Sequence, residues 1–147
     1  MNGEPRLLIP ALGGLYSAVA PITEPLIRLC AGLSMAAHGY LILFAARDAN
    51  IAFFAQAGFH PAVFWTIVTG ATQFLGGLCL AAGLLTRLAA VPVLIFLLVA
   101  IKFHAPNGFA WNNLGFEYPL FWSIVVFHFL VRGGGRWSLD RAIGREI

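Results

Sequence analysis

The chain has 147 residues, 60% of them hydrophobic and 10% charged, with a mean hydropathy of +0.84. Water-soluble domains carry about 25% charged residues, so a soluble globule is excluded and an integral membrane protein is expected. The net charge of +3 comes from basic residues scattered between apolar runs, which excludes a nucleic-acid patch, and two cysteines, Cys30 and Cys79, make neither a disulfide framework nor a thiolate metal site.

At about 20 apolar residues per crossing there is room for four helices in one domain, residues 1–147. Residues 1–22 end in a stretch resembling a signal-peptide cleavage site, but Pro21 directly after it argues against processing. They read as a retained arm lying at the membrane interface. The first span is placed at 26–46, entered through Glu24-Pro25, with Pro tolerated at a helix start. Residues 47–61 are too polar at their beginning and too short to cross, so they are expected along the membrane surface with their Phe side chains in lipid. The second span is placed at 62–85 and contains Gly70, Gly76 and Gly77, small residues that let helices approach closely. A very short turn at Leu85-Thr86-Arg87 makes the third span, 88–105, its antiparallel neighbour. A loop carrying Trp111 leads to a fourth span at 114–131, and Gly133-Gly134-Gly135 releases a tail at 132–147.

The expected architecture is therefore all-α, a four transmembrane helix bundle with short interfacial segments. Counting basic residues by side groups Arg6, Arg28, Arg87, Arg132, Arg136, Arg141 and Arg145 against Arg47 and Lys102. Both termini are thus expected in the cytoplasm, as for a protein of a bacterial inner membrane.

Ionisable groups inside a bilayer cost about 2.5–3.5 kcal/mol each at a helix centre and call for partners or a function. At about 1.5 Å rise per residue, His38 and Gln73 lie within the first two spans, while Lys102, His104 and Glu117 gather near the outer ends of the third and fourth. With Trp111 for stacking, these six residues are the candidate site: a cavity whose polar groups hydrogen-bond the oxygens of an amphipathic ligand such as a quinone. The competing reading has Lys102, His104 and Glu117 reaching for headgroups and His38 and Gln73 holding helices together. His128 and Arg132 share a face of the fourth span with Glu117, either as a proton path or as a satisfied core. Arg28 and Arg132 read as cytoplasmic anchors. No haem, flavin or metal site is evident: His38 and His128 differ in depth, and His38, His104 and Glu117 lack a ligand-spacing signature. Cys30 and Cys79 share a depth and a redox pair between them is conceivable, although buried cysteine is usually inert. Ser138 is expected to cap a short helix from Leu139 to about Arg145, with Asp140 at the positive end of its dipole.

The His38-Gly39 pair, the stretch TGATQFLGGLCLAAGLLTRLAA at 69–90, the FEYPLFW opening of the last span and GGGRWSLDR at 133–141 together resemble the DoxX family of small four-helix membrane proteins, over residues 24–141. The resemblance implies a four-span bundle with cytoplasmic termini. It also implies association with quinone-linked or stress-related membrane oxidoreductases. Family members commonly have Glu in the second span where this chain has Gln73, which removes a titratable group there, whereas Glu117 matches the family's acidic residue opening the last span. The leading expectation is a membrane subunit that binds a quinone and takes electrons from a protein partner, within the lipid bilayer and with homo-oligomerisation open. The alternative is a non-catalytic membrane anchor or assembly factor; a carrier is disfavoured because four short unbroken spans leave little for alternating access.

Overall fold

A computed structural model describes residues 6–145. The described chain is helical throughout, with no strand. Helix α1 spans Gly13–Tyr40 and runs into a π-helical turn, Leu41–Ala45; α2 is Arg47–Gln56, α3 Ala62–Ala82, α4 Thr86–His104, α5 Glu117–Arg132 and α6 Leu139–Ile143. Short 3-10 turns precede α1 and punctuate the α4–α5 connection at Ala105–Asn107 and Trp111–Asn113.

The long helices pack in sequence, α1 on α3, α3 on α4 and α4 on α5, with α1 also touching α5. Their shared core is apolar: Met35, Leu80, Val93, Leu97, Val126 and Phe129 are all buried. The α1–α3 contact is different in kind. A Cβ added at Gly32 would lie 2.3 Å from the Ala81 nitrogen, at Gly39 2.2 Å from the Phe74 nitrogen, and at Gly77 2.5 Å from the Ala36 nitrogen. The two backbones therefore touch, which is how helices gain contact where lipid is as apolar as leucine.

Three helical stretches are long and apolar enough to cross a membrane: Pro10–Ala45, Ala62–Ala82 and Thr86–Asn107. The helix expected as a fourth span, α5, has 16 residues, short of the roughly 20 that a bilayer core asks for. The arm expected at 1–22 is corrected: from Gly13 onward it is the first part of α1, which continues through Pro21 and Pro25. Each proline removes a single donor, and in apolar surroundings no water replaces the remaining helical bonds, so the helix persists. The first span's expected end stands closer to the structure, because Ala46 leaves helical geometry at φ −133°, ψ 36°.

The α3–α4 turn is tight. Gly83 takes φ 67°, and the Leu84 N–H donates back to the Cys79 carbonyl at 2.9 Å, closing α3 in the manner of a glycine C-cap. At the start of α4 two backbone N–H groups, of Leu85 and Thr86, have no intrahelical acceptor. Asp140, far along the chain, supplies it. Its carboxylate accepts from Leu85 N–H at 2.6 Å, Thr86 N–H at 2.9 Å and the Thr86 hydroxyl at 2.7 Å, while its own N–H donates to the Gly83 carbonyl at 2.9 Å. Ser138 caps α6 as expected, accepting from the Arg141 N–H at 3.2 Å.

Arg28 completes this lock. Rather than an anchor at headgroups, it is buried at 3% exposure and donates to the carbonyls of Gly134 and Trp137, tying the tail beneath α1 and α3. Burial by itself would raise the Asp140 pKa. The hydrogen bonds from Thr86 and Leu85 and the nearby Arg28 charge outweigh it, holding the carboxyl below its usual value.

Gly39→Ala should lower the unfolding free energy in detergent by about 1–3 kcal/mol, because its Cβ meets backbone that cannot rotate away. Gly14→Ala, with nothing within 4 Å, should be neutral or stabilising by up to about 1 kcal/mol. Asp140→Ala should cost about 3 kcal/mol by stranding buried donors and the Arg28 charge. Since the native carboxyl is depressed, its stabilisation is complete above about pH 4 and is lost as pH falls through the lower native value. Acid unfolding of the parent followed by circular dichroism should show that loss, and Asp140→Asn should lack it.

Candidate functional site

At the end of the bundle opposite α6, the π-helical turn lets the chain leave α1 and fold α2 back against α3. The resulting cavity, about 440 Å³, is bounded by α1, α2, α3 and α4, within the range of small-molecule sites. Its walls are apolar and aromatic: Phe53, Phe54, Phe59, Trp65, Phe96 and Phe103. Phe53 of α2 meets Phe103 of α4 edge-to-face at 5.5 Å between centroids, and Phe54 of α2 meets Phe59 in the α2–α3 connection at 5.6 Å; Phe59 in turn meets Trp65 of α3 at 5.8 Å.

Three of the six residues singled out from sequence line this cavity: His38, Gln73 and His104. Gln73 is 3% exposed and its side-chain Nε2 has no hydrogen-bond partner. A buried amide nitrogen left in that state costs about 1–3 kcal/mol, and a ligand oxygen would relieve it. His104 is oriented by the Leu114 carbonyl, 2.7 Å from Nδ1. Because a carbonyl only accepts, Nδ1 carries the proton, and in the neutral ring Nε2 is left as an acceptor. His38 lines the cavity while remaining exposed.

Trp111 and Glu117 are elsewhere. They line a second cavity of about 390 Å³ with Phe109, Tyr118 and Phe121, at the start of α5. Glu117 accepts the Trp111 backbone N–H at 3.1 Å. Lys102 is exposed and lines neither of the two cavities. The structure thus divides the expected cluster in two. The reason is topological: the α4–α5 loop carries Trp111 to the α5 side of the molecule, while α2 closes the α1–α3–α4 side.

Other polar groups also find partners that sequence did not suggest. His128 of α5 contacts Glu24 of α1 at 3.0 Å, and Arg132 lies 3.7 Å from the same carboxylate, so His128 is committed to Glu24 rather than to Glu117. Cys30 and Cys79 are free thiols. Among the described residues no three His, Cys, Asp or Glu side chains converge as a metal cradle.

Several cavity residues escaped the sequence reading. Phe53 and Phe54 were assigned to lipid but line the cavity with Asn50, because α2 packs on α3 instead of lying apart from it. Thr69 and Thr72 also line it. Thr69 precedes Gln73 by one helical turn, a spacing that places both on one face and was available as a signal.

Comparison with known proteins identifies the family. No solved structure matches the chain. An uncharacterized membrane protein of Mycobacterium tuberculosis is 31% identical over 154 aligned positions, covering 93% of this chain and 91% of the relative. The DoxX family signature matches residues 25–106, which hold α2, α3, α4 and most of α1. The chain is an integral membrane protein of the DoxX family.

Proposed function

We propose that this protein binds a lipid-soluble, ring-bearing molecule with hydrogen-bonding oxygens, a quinone foremost, in the cavity between α1, α2, α3 and α4, as the membrane component of an oxidoreductase system. The observation that carries this reading is the buried, unpartnered Gln73 amide nitrogen in a cavity walled by aromatic rings. A quinone head fits that chemistry: its flat ring suits aromatic walls, and its carbonyl oxygens accept what the Gln73 amide donates. When bound, the quinone would supply two-electron, two-proton carrying capacity, which no side chain here provides. Gln73 would fix one oxygen. His104, whose Nε2 is an acceptor, would meet a hydroxyl of the reduced quinol, His38 would line the space beside it, and α2 would cover the head from water. Electrons would come from a protein partner.

The same proposal sets the protein in a bacterial inner membrane as four crossings with cytoplasmic termini. Two features support it. The outward side chains of α5 beyond the second cavity, Phe127 and Val131, are large, apolar and exposed. The end that gathers Arg28, Arg87, Arg132, Arg136 and Arg141 is also the end where the tail folds beneath the bundle, as the positive-inside rule would have it.

Organic extraction and mass spectrometry of protein purified in mild detergent should recover near-stoichiometric quinone. Gln73→Leu and His38→Ala should each weaken quinone binding about tenfold, the value of one hydrogen bond of about 1.4 kcal/mol, with unfolding temperature little changed. Purified protein free of redox-active lipid, with binding insensitive to both substitutions, would favour the anchor or assembly role instead. A fluorescent protein fused at the carboxyl terminus should fluoresce, and a periplasm-dependent phosphatase fused there should be inactive.

A further inference from the structure

The second cavity has a chemistry unlike the first. It is walled by four aromatic residues, Phe109, Trp111, Tyr118 and Phe121, and contains one carboxylate, Glu117. Trp111 and Tyr118 stand 5.7 Å apart between centroids with their planes at 74°, so they form two walls of a corner. Phe109 is braced edge-to-face by Phe116 at 5.5 Å, and Phe121 by Trp122 at 5.3 Å.

The loop that presents these rings is held by its own backbone. Phe116 N–H donates to the Gly108 carbonyl at 3.1 Å, Glu117 N–H to Phe109 at 3.0 Å, and Gly115 N–H to Ala110 at 3.0 Å. A Cβ at Gly115 would lie 2.4–2.6 Å from the carbonyl oxygens of Gly108, Phe109 and Ala110, so the loop closes this tightly only around glycine. The backbone that carries Phe109 and Trp111 is therefore set before any ligand arrives, which reduces the entropy that binding must overcome.

Glu117 uses Oε2 to accept the Trp111 N–H. The ion pairs found among the described residues belong to Glu24, so among those residues no Lys, Arg or His forms an ion pair with Glu117. A carboxylate attracts a cation, and the faces of aromatic rings carry negative quadrupole density that does the same. A small hydrated metal ion would find too few oxygens here. A quaternary or heavily substituted ammonium needs none: its methyl groups are apolar, its charge is diffuse, and both features match rings around one carboxylate.

We propose that Phe109, Trp111, Glu117, Tyr118 and Phe121 form a binding site for a substituted ammonium group. Two sources offer that chemistry, the headgroup of a choline-type lipid and a soluble organic cation. The site shares no lining residue with the quinone cavity and does not rest on that reading.

The test is calorimetric titration of the full-length protein, purified in an uncharged maltoside detergent, with choline and with its uncharged carbon isostere 3,3-dimethylbutan-1-ol. Choline should bind saturably and at least tenfold tighter than the alcohol. Glu117→Gln keeps an acceptor for the Trp111 N–H but removes the charge, and should weaken choline at least tenfold while leaving the alcohol unchanged. Tyr118→Leu should weaken choline several-fold, and His38→Ala, in the other cavity, should leave it unaltered. Equal affinities for choline and the alcohol, or full choline affinity in Glu117→Gln, would overturn the proposal. If Glu117→Gln does not fold, the choline-to-alcohol ratio on the unaltered protein still decides. Repeating the titration in phosphatidylcholine and phosphatidylglycerol nanodiscs identifies the source. Apparent choline affinity reduced only in phosphatidylcholine marks the lipid headgroup as occupant, and equal affinity in both marks a soluble cation.

Discussion

The contact between α1 and α3 governs the rest of the molecule. Where Gly32, Gly39 and Gly77 meet the neighbouring backbone, side chains are absent from the seam and the helix axes come as near as main chains allow. Such contact is directional and short-ranged, so it fixes the register of one helix on the other as well as their distance. His38 sits immediately before Gly39, and Gln73 lies one turn from both Gly70 and Gly77 on α3. The polar groups of the first cavity are thus positioned by the residues that bring the two helices together. Leu43, just beyond the seam, packs on Gly70, where an added Cβ would approach its Cγ to 2.6 Å. The π-helical turn that releases α2 is therefore seated on the same stripe of small residues.

The helices themselves were largely legible. Apolar runs, the short turn at Leu85-Thr86-Arg87 and the stop at Gly133-Gly134-Gly135 gave α3, α4 and α5 to within a few residues, because each boundary is a local event in the chain. The first helix was misjudged for a related reason. Pro21 and Pro25 are strong local breakers in water, but their effect depends on whether solvent can take over the lost bonds, which local sequence does not state.

The candidate site was legible as a set of residue types and not as an arrangement. Depth along a helix follows from counting, so His38 and Gln73 could be placed within their spans and Lys102, His104 and Glu117 near the outer ends of theirs. Azimuth does not follow, because it depends on which helices are neighbours and on where the connecting segments travel. That is why Glu117 and Trp111 belong to a separate cavity, and why Phe53 and Phe54 line the first one. Glu24 escaped notice because a carboxylate between two prolines looks like helix punctuation; only the packing of α1 on α5 reveals His128 and Arg132 beside it. Arg28 was misread on the same ground, since its carbonyl partners lie more than a hundred residues away.

The remote cap on α4 has a consequence for how the protein is made. Chains emerge from the ribosome amino terminus first and fold in that order. The α3–α4 hairpin is therefore synthesised before Asp140, the acceptor of its two exposed N–H groups. Through that interval Arg28 also lacks the carbonyls of Gly134 and Trp137. Until the tail is made, the helices lack the hydrogen bonds that fasten this end of the bundle.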